Sequence, residues 1–167
     1  MSDTLLPAEL VERARAVVEA NRVLNRRVAV AESCTGGLVA AALTEIAGSS
    51  EVLEAGFVTY SNTAKERQLG VSEDVLATFG AVSVATAWAM ARGALLASGA
   101  DVSVAITGIA GPGGGSPLKP VGTVVFARAE RDGDPDQVVA DQKLFKDEGR
   151  GSVRLQAALC ALDLLMP

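Results

Sequence analysis

From residue 8 to 25 the apolar positions recur at helical spacing. Leu10, Ala14, Val17, Val18 and Asn21 share one stripe while the charged residues fall elsewhere, which predicts an amphipathic helix. Arg27–Ala31 (RVAVA) is too short and too apolar for a helix and predicts a buried strand. Helical composition returns from Leu38 to Ile46 and is closed by Gly48, Ser49 and Ser50. Residues 53–60 (LEAGFVTY) predict a second strand, with Gly56 as a bulge or a point of close contact. Short helices are expected over 62–69 and 73–79. Ser83 then caps a longer helix, which carries Val84, Ala87, Trp88, Ala91 and Leu95 inward and ends at Gly99.

Asp101–Ile106 (DVSVAI) predicts a third, apolar strand. Thr107–Pro120 holds five of the 17 glycines and three of the six prolines, so it is either a functional loop or a floppy one. Residues 121–129 and 137–145 predict a hairpin with Asp132, Gly133, Asp134 and Pro135 in its turn. A final helix over 150–166 is expected to bury Leu155, Leu159, Leu162 and Leu165 or Met166. Strands alternating with helices predict a three-layer α/β/α sandwich around a mixed sheet of about five strands, mostly parallel, with one antiparallel strand from the hairpin. With no repeat, low-complexity tract or linker, the 167 residues are read as a single domain.

Composition narrows the chemistry. Hydrophobic residues make up 49% against 21% charged, ample for a core. The net charge of −5 argues against nucleic-acid or anionic-membrane binding. There is no histidine, so Ser-His-Asp hydrolysis, Cys-His proteolysis and His-ligated zinc are excluded for a self-contained site. Two cysteines, Cys34 and Cys160, suffice for neither a metal cluster nor a disulfide framework and suit a reducing cytoplasm. Glu32 and Asp101 could hold a metal only with partners the sequence does not identify, and no cofactor is expected. The first residues interleave acids and arginines rather than forming an apolar leader, and no apolar run is long enough to span a membrane.

Three polar clusters each follow a predicted strand: Glu32-Ser33-Cys34-Thr35-Gly36-Gly37, Tyr60-Ser61-Asn62-Thr63-Ala64-Lys65, and Thr107 to Gly115. The carboxyl ends of parallel strands line one crevice, so these clusters should converge. In the first, Gly36 and Gly37 at a helix N-terminus could bring N–H groups to an anion or developing oxyanion. Alternatively, Ser33 or Thr35 is an ordinary N-cap. In the second, Lys65 lies one turn into a helix begun at Asn62. Facing an apolar crevice, its amine would lose affinity for its proton and could serve as base to a serine; facing solvent, it is an ordinary surface charge. The third cluster is either an anion nest or a flexible lid. Ser116 to Lys119 formally matches S-x-x-K, but Pro117 and Pro120 forbid the helix that motif needs. Cys34 is an alternative nucleophile or a buried small hydrophobe. Arg150 and Arg154, one turn apart, could grip a phosphate or simply answer Asp147 and Glu148.

Ala31-Glu32-Ser33-Cys34-Thr35-Gly36-Gly37, Gly56-Phe57-Val58-Thr59-Tyr60-Ser61-Asn62 with Ala64-Lys65, and Thr107-Gly108-Ile109-Ala110-Gly111-Pro112-Gly113-Gly114 followed by Lys119-Pro120-Val121-Gly122-Thr123-Val124 together resemble the CinA C-terminal domain family. The likeness runs from about residue 8 to 166 and suggests the stand-alone form, without the further N-terminal domain of larger relatives. It implies a three-layer α/β/α fold and hydrolysis of nicotinamide mononucleotide to nicotinate mononucleotide and ammonia. By the same resemblance Ser33 is the nucleophile, Lys65 its base, and Tyr60 an aid to proton transfer. Cys34, Thr35, Gly36, Gly37, Asn62, Thr107, Gly108, Gly111, Gly113, Gly114 and Arg150 are the implied substrate contacts. A small-molecule nucleotide substrate and a homodimer or higher homo-oligomer are expected. A nucleotide-binding regulatory module linked to competence or DNA damage, and an amidase for another small amide, are the competing readings. The chain departs from the family pattern at Val84, where relatives carry an acid, and in Phe145–Gly149, where many have a shorter turn.

Overall fold

The computed structural model describes residues 3–167. Met1 and Ser2, which head the stretch read as lacking an apolar leader, lie outside the described residues. The elements are α1 (Ala8–Val23), β1 (Val28–Glu32), α2 (Leu38–Thr44), a 3-10 turn (Ser49–Glu51), β2 (Leu53–Val58), α3 (Asn62–Leu69), α4 (Glu73–Phe79), α5 (Val84–Ser98), β3 (Val102–Gly108), β4 (Thr123–Glu130), β5 (Ala140–Leu144) and α6 (Arg150–Leu164). They form one five-stranded sheet in the order β2-β1-β3-β4-β5. β1 pairs parallel with β2 and β3, whereas β4 runs antiparallel to both β3 and β5. One strand of the five is therefore reversed, as the hairpin implied.

Alternation along the strands sorts side chains by size. Val28, Val30, Val102, Val104, Ile106, Val124 and Phe126 face one way, into the core built with α1, α2 and α6. Ala31, Ala105, Ala127 and Ala129 face the other way, toward α5 and its neighbours α3 and α4. The period of two makes this sorting automatic. The alanine face lets α5 lie close on the sheet, where the Ser103 hydroxyl donates to Ala91 O at 2.6 Å.

That close approach also decides the phase of α5. The residues turned inward are Thr86, Ala87, Met90, Ala91, Ala94 and Leu95. Val84 is 41% exposed, which corrects the expected stripe there, while Trp88 is half-buried and packs against the core at its edge. Almost every residue of α5 is apolar or small, so its pattern carries little phase information. In α6 the buried set is Val153, Ala157, Ala158, Ala161 and Leu162, with Leu155 and Leu159 only partly covered. Several boundaries shift as well: Thr107 and Gly108 end β3 rather than opening the glycine loop, and β5 starts at Ala140 instead of 137.

Gly93 joins the helical layer to the element bearing Lys65. A Cβ there would sit 1.9 Å from Leu69 O, at the end of α3. A mid-helix glycine costs about 1 kcal/mol relative to alanine, so its presence marks a contact that no side chain can enter. Gly93→Ala is expected to destabilise the protein by about 3 kcal/mol through overpacking, read from urea unfolding. Unchanged stability would show that the α3–α5 contact can relax freely.

Candidate active site

Three strand ends build the site. β1 passes directly into Ser33, whose N–H donates to Ile106 O at 2.9 Å and so extends the parallel ladder by one residue. β2 leads through Thr59 and Tyr60 to Ser61, which caps α3 by accepting from Ala64 N at 3.0 Å. That cap starts the helix one turn before Lys65 and aims its side chain back under the strand ends. β3 delivers Thr107 and Gly108, with the Thr107 hydroxyl donating to Ala81 O at 2.8 Å.

The side chains of Ser33 and Lys65 meet, although 32 positions separate them. Lys65 is 1% exposed; its Nζ lies 3.1 Å from Ser33 Oγ, 2.9 Å from Thr59 O and 3.2 Å from Tyr60 O. Among the described residues no carboxylate pairs with it. Burial lowers the Lys65 pKa from its ordinary value, because desolvation penalises the ammonium. Nζ has three acceptors around it, the two carbonyls and the serine hydroxyl; on losing a proton it can keep donating to the two carbonyls while its lone pair accepts from the hydroxyl.

Cys34, also on the cleft wall, behaves differently. Burial, reinforced by the Glu32 carboxylate, pushes its thiol up to about 11. That favours the protonated thiol at neutral pH, a poor nucleophile. Cys160 is likewise raised by burial, in the last helix.

The expected anion site at the start of α2 is already filled from within. Glu32, fully buried, accepts from Val39 N and Ala40 N at 3.0 Å each. Its carboxylate takes the position a ligand anion would hold and satisfies the orphan donors of that helix end. Gly36 donates to Ser33 O at 3.0 Å, which closes the turn. Neither Gly36 nor Gly37 lines the cleft, and Thr35 is completely buried beneath the turn. Asn62 opens α3 on its exposed side. These four residues, expected as substrate contacts, lie off the cleft wall. By contrast Cys34, the first residue after the serine, lines the cleft, and among the described residues its N–H donates to no backbone carbonyl.

The cleft has a volume of about 260 Å³, near the lower end of small-ligand sites at roughly 300 Å³. Besides Ser33 and Lys65 it brings together Cys34, Tyr60, Thr107, Gly108, Gly111, Gly113, Gly114 and Arg150, as expected. Ala81, Val82, Ile109 and Ala110 complete the wall. Ala81 and Val82 carry no polar group, so no sequence signal marked them. A second groove, of about 240 Å³ beside Trp88, Arg92 and Arg128, contains no nucleophile–base pair.

The two arginines of α6 part company. Arg150 donates from Nη1 to Gly111 O at 2.7 Å and from Nη2 to the Tyr60 hydroxyl at 2.9 Å, pinning the glycine loop and the phenol at the cleft mouth. The Tyr60 hydroxyl is thus engaged by Arg150 rather than by Ser33 or Lys65. Arg154 turns under the serine turn, donating from Nε to Cys34 O and from Nη2 to Thr35 O, both at 3.1 Å. A joint phosphate grip by the pair is corrected accordingly: a helical turn sets their spacing, but packing of α6 against α1 and α2 sends them to different sides of the turn.

Residues 11–167 match the model of the CinA C-terminal domain. The nicotinamide-nucleotide amidohydrolase PncC of Enterobacter agglomerans is 55% identical over 136 residues, covering 81% of this chain and 80% of the relative. Its counterpart in Pseudomonas putida is 51% identical over 145 residues, covering 87% and 88%. The crystal structure of competence/damage inducible protein CihA from Agrobacterium tumefaciens superposes with a TM-score of 0.92 at 51% identity, covering 99% of this chain and 97% of that one. Among the described residues no helix is long and apolar enough to cross a membrane.

Proposed function

The chain belongs to the CinA C-terminal domain family, and on that premise we propose that it hydrolyses the carboxamide of nicotinamide mononucleotide to the carboxylate and ammonia by a Ser33–Lys65 mechanism. The observation that carries the reading is the 3.1 Å contact between the serine hydroxyl and a buried lysine amine that has no acidic partner among the described residues. Two relatives named for this activity share about half of their aligned residues with the chain.

Ser33 Oγ attacks the carboxamide carbon while the Lys65 lone pair takes its proton. The carbonyl oxygen becomes an oxyanion, for which the Cys34 N–H is the available donor. Collapse of the intermediate breaks the C–N bond, and the Lys65 ammonium returns the proton to the departing nitrogen, releasing ammonia. A water then attacks the acyl ester with Lys65 again as base, freeing the carboxylate and restoring the serine hydroxyl. Tyr60 contributes its carbonyl to Lys65 and its hydroxyl to Arg150. Arg150 is the cation at the mouth and the group suited to a 5′-phosphate.

The test is ammonia release from nicotinamide mononucleotide by the full-length protein, with free nicotinamide as comparison. Turnover of the nucleotide supports the reading. Nucleotide binding without turnover supports a regulatory module, and turnover of an unrelated small amide alone supports a different amidase.

A further inference from the structure

We infer that Arg154 is a positioning residue for oxyanion stabilisation: its guanidinium grips the backbone just after the nucleophile and thereby holds the Cys34 N–H ready for the negative oxygen. The inference rests on the Ser33–Lys65 reading above and adds a participant from the other end of the chain.

Arg154 and Cys34 are 120 positions apart, yet Nε and Nη2 donate to the consecutive carbonyls of Cys34 and Thr35. The side chain is part-buried, and among the described residues it forms no ion pair. Its charge is spent on two neutral peptide groups. Space is reserved for it: a Cβ on Gly36 would lie 3.2 Å from Nη2, at a φ of +60° that also favours glycine.

Carbonyl and N–H point in opposite directions across a trans peptide. Gly36 N–H holds Ser33 O, which sets the direction of the Cys34 N–H. Arg154 holds the next two carbonyls and so fixes the backbone on the far side of Cys34. The planar fork can span two adjacent carbonyls, which the point charge of lysine does not do. A guanidinium hydrogen-bonded one peptide away also places positive potential behind the site where negative charge develops. That charge exists in the transition state and not in the bound amide, so the benefit falls on kcat. Arg154 does not line the cleft, whereas Arg150 does, so loss of Arg154 should leave KM largely unmoved.

Arg154→Ala and Arg154→Lys are compared with wild type in the full-length protein. The expected result for Arg154→Ala is a kcat lower by about 10²-fold, the cost of losing one oxyanion donor, with KM unchanged and partial rescue by added guanidinium ion. Arg154→Lys keeps the charge for folding but loses the fork, and is expected to lose kcat as well. A second readout needs no nucleotide. An alkyl fluorophosphonate reacts as Ser33 Oγ forms a P–O bond, fluoride leaves and Lys65 takes the proton; mass spectrometry follows the labelling, expected to slow in both variants. Wild-type labelling rates in both variants, or a loss confined to KM, overturn the inference. If wild type is labelled at Ser33 but releases no ammonia from the nucleotide, the amidohydrolase reading fails while the labelling rates still decide the role of Arg154. An unlabelled wild-type Ser33 overturns both.

Discussion

Lys65→Met is expected to lower kcat for nicotinamide mononucleotide by about 10²- to 10⁴-fold, the range for removing a general base, and Lys65→Arg is expected to do the same. Arginine keeps the positive charge but not the ability to give up a proton near neutral pH, so the pair separates a base from a mere cation. The pH profile supplies the sign. Burial lowers the Lys65 pKa, and the proposed mechanism works through the neutral amine. The wild-type rate should therefore rise with pH as the ammonium loses its proton, with its midpoint below the ~10.4 of a free lysine. That limb should be missing from the residual activity of Lys65→Met. If the methionine variant keeps both its rate and the same limb, another group is the base and the mechanism must be redrawn.

Ser33→Ala is expected to cost at least about 10⁴-fold in kcat, and the Ser33→Ala/Lys65→Met double variant should be no slower than the slower single one. Groups that act as one unit are not additive, because losing either partner already abolishes the covalent route. Cys34→Ala should keep most of the activity, since the thiol stays protonated to about 11 and the substitution preserves the backbone N–H. Ammonia release gives the rates. Mass spectrometry of rapidly quenched wild type should find the acyl ester on Ser33. An acyl group on Cys34, or additive losses in the double variant, would assign the chemistry elsewhere.

Much of the architecture was legible because its signals are local. Ser61, Ser72 and Ser83 each cap a helix through their own side chains, and Gly70 and Gly99 end two in the left-handed conformation. The valine–alanine alternation of the strands predicts buried positions without reference to any partner. What misled is equally specific. In α5 the apolar surface is nearly continuous, so Val84 could be assigned inward when packing on the sheet had turned it to solvent. Around Ser33, the glycines and the start of a helix suggested an anion site, but Glu32 reaches forward seven and eight positions to occupy it. Nothing in a linear pattern distinguishes an internal carboxylate cap from a vacancy for a ligand.

The absence of histidine was decisive on its own, because composition removes a chemistry wherever the chain goes. The order of strands and helices likewise followed from hydrophobic period and capping, which act over a few residues. The protonation of Lys65 did not follow from them: it depends on how much water is excluded by segments distant in the chain. The division of labour between Arg150 and Arg154 is of the same kind, since one helical turn of sequence places them together and only the packing of α6 separates a guanidinium at the cleft mouth from one beneath the nucleophile. Short-range forces chose the elements; desolvation and long-range contact assigned their chemistry.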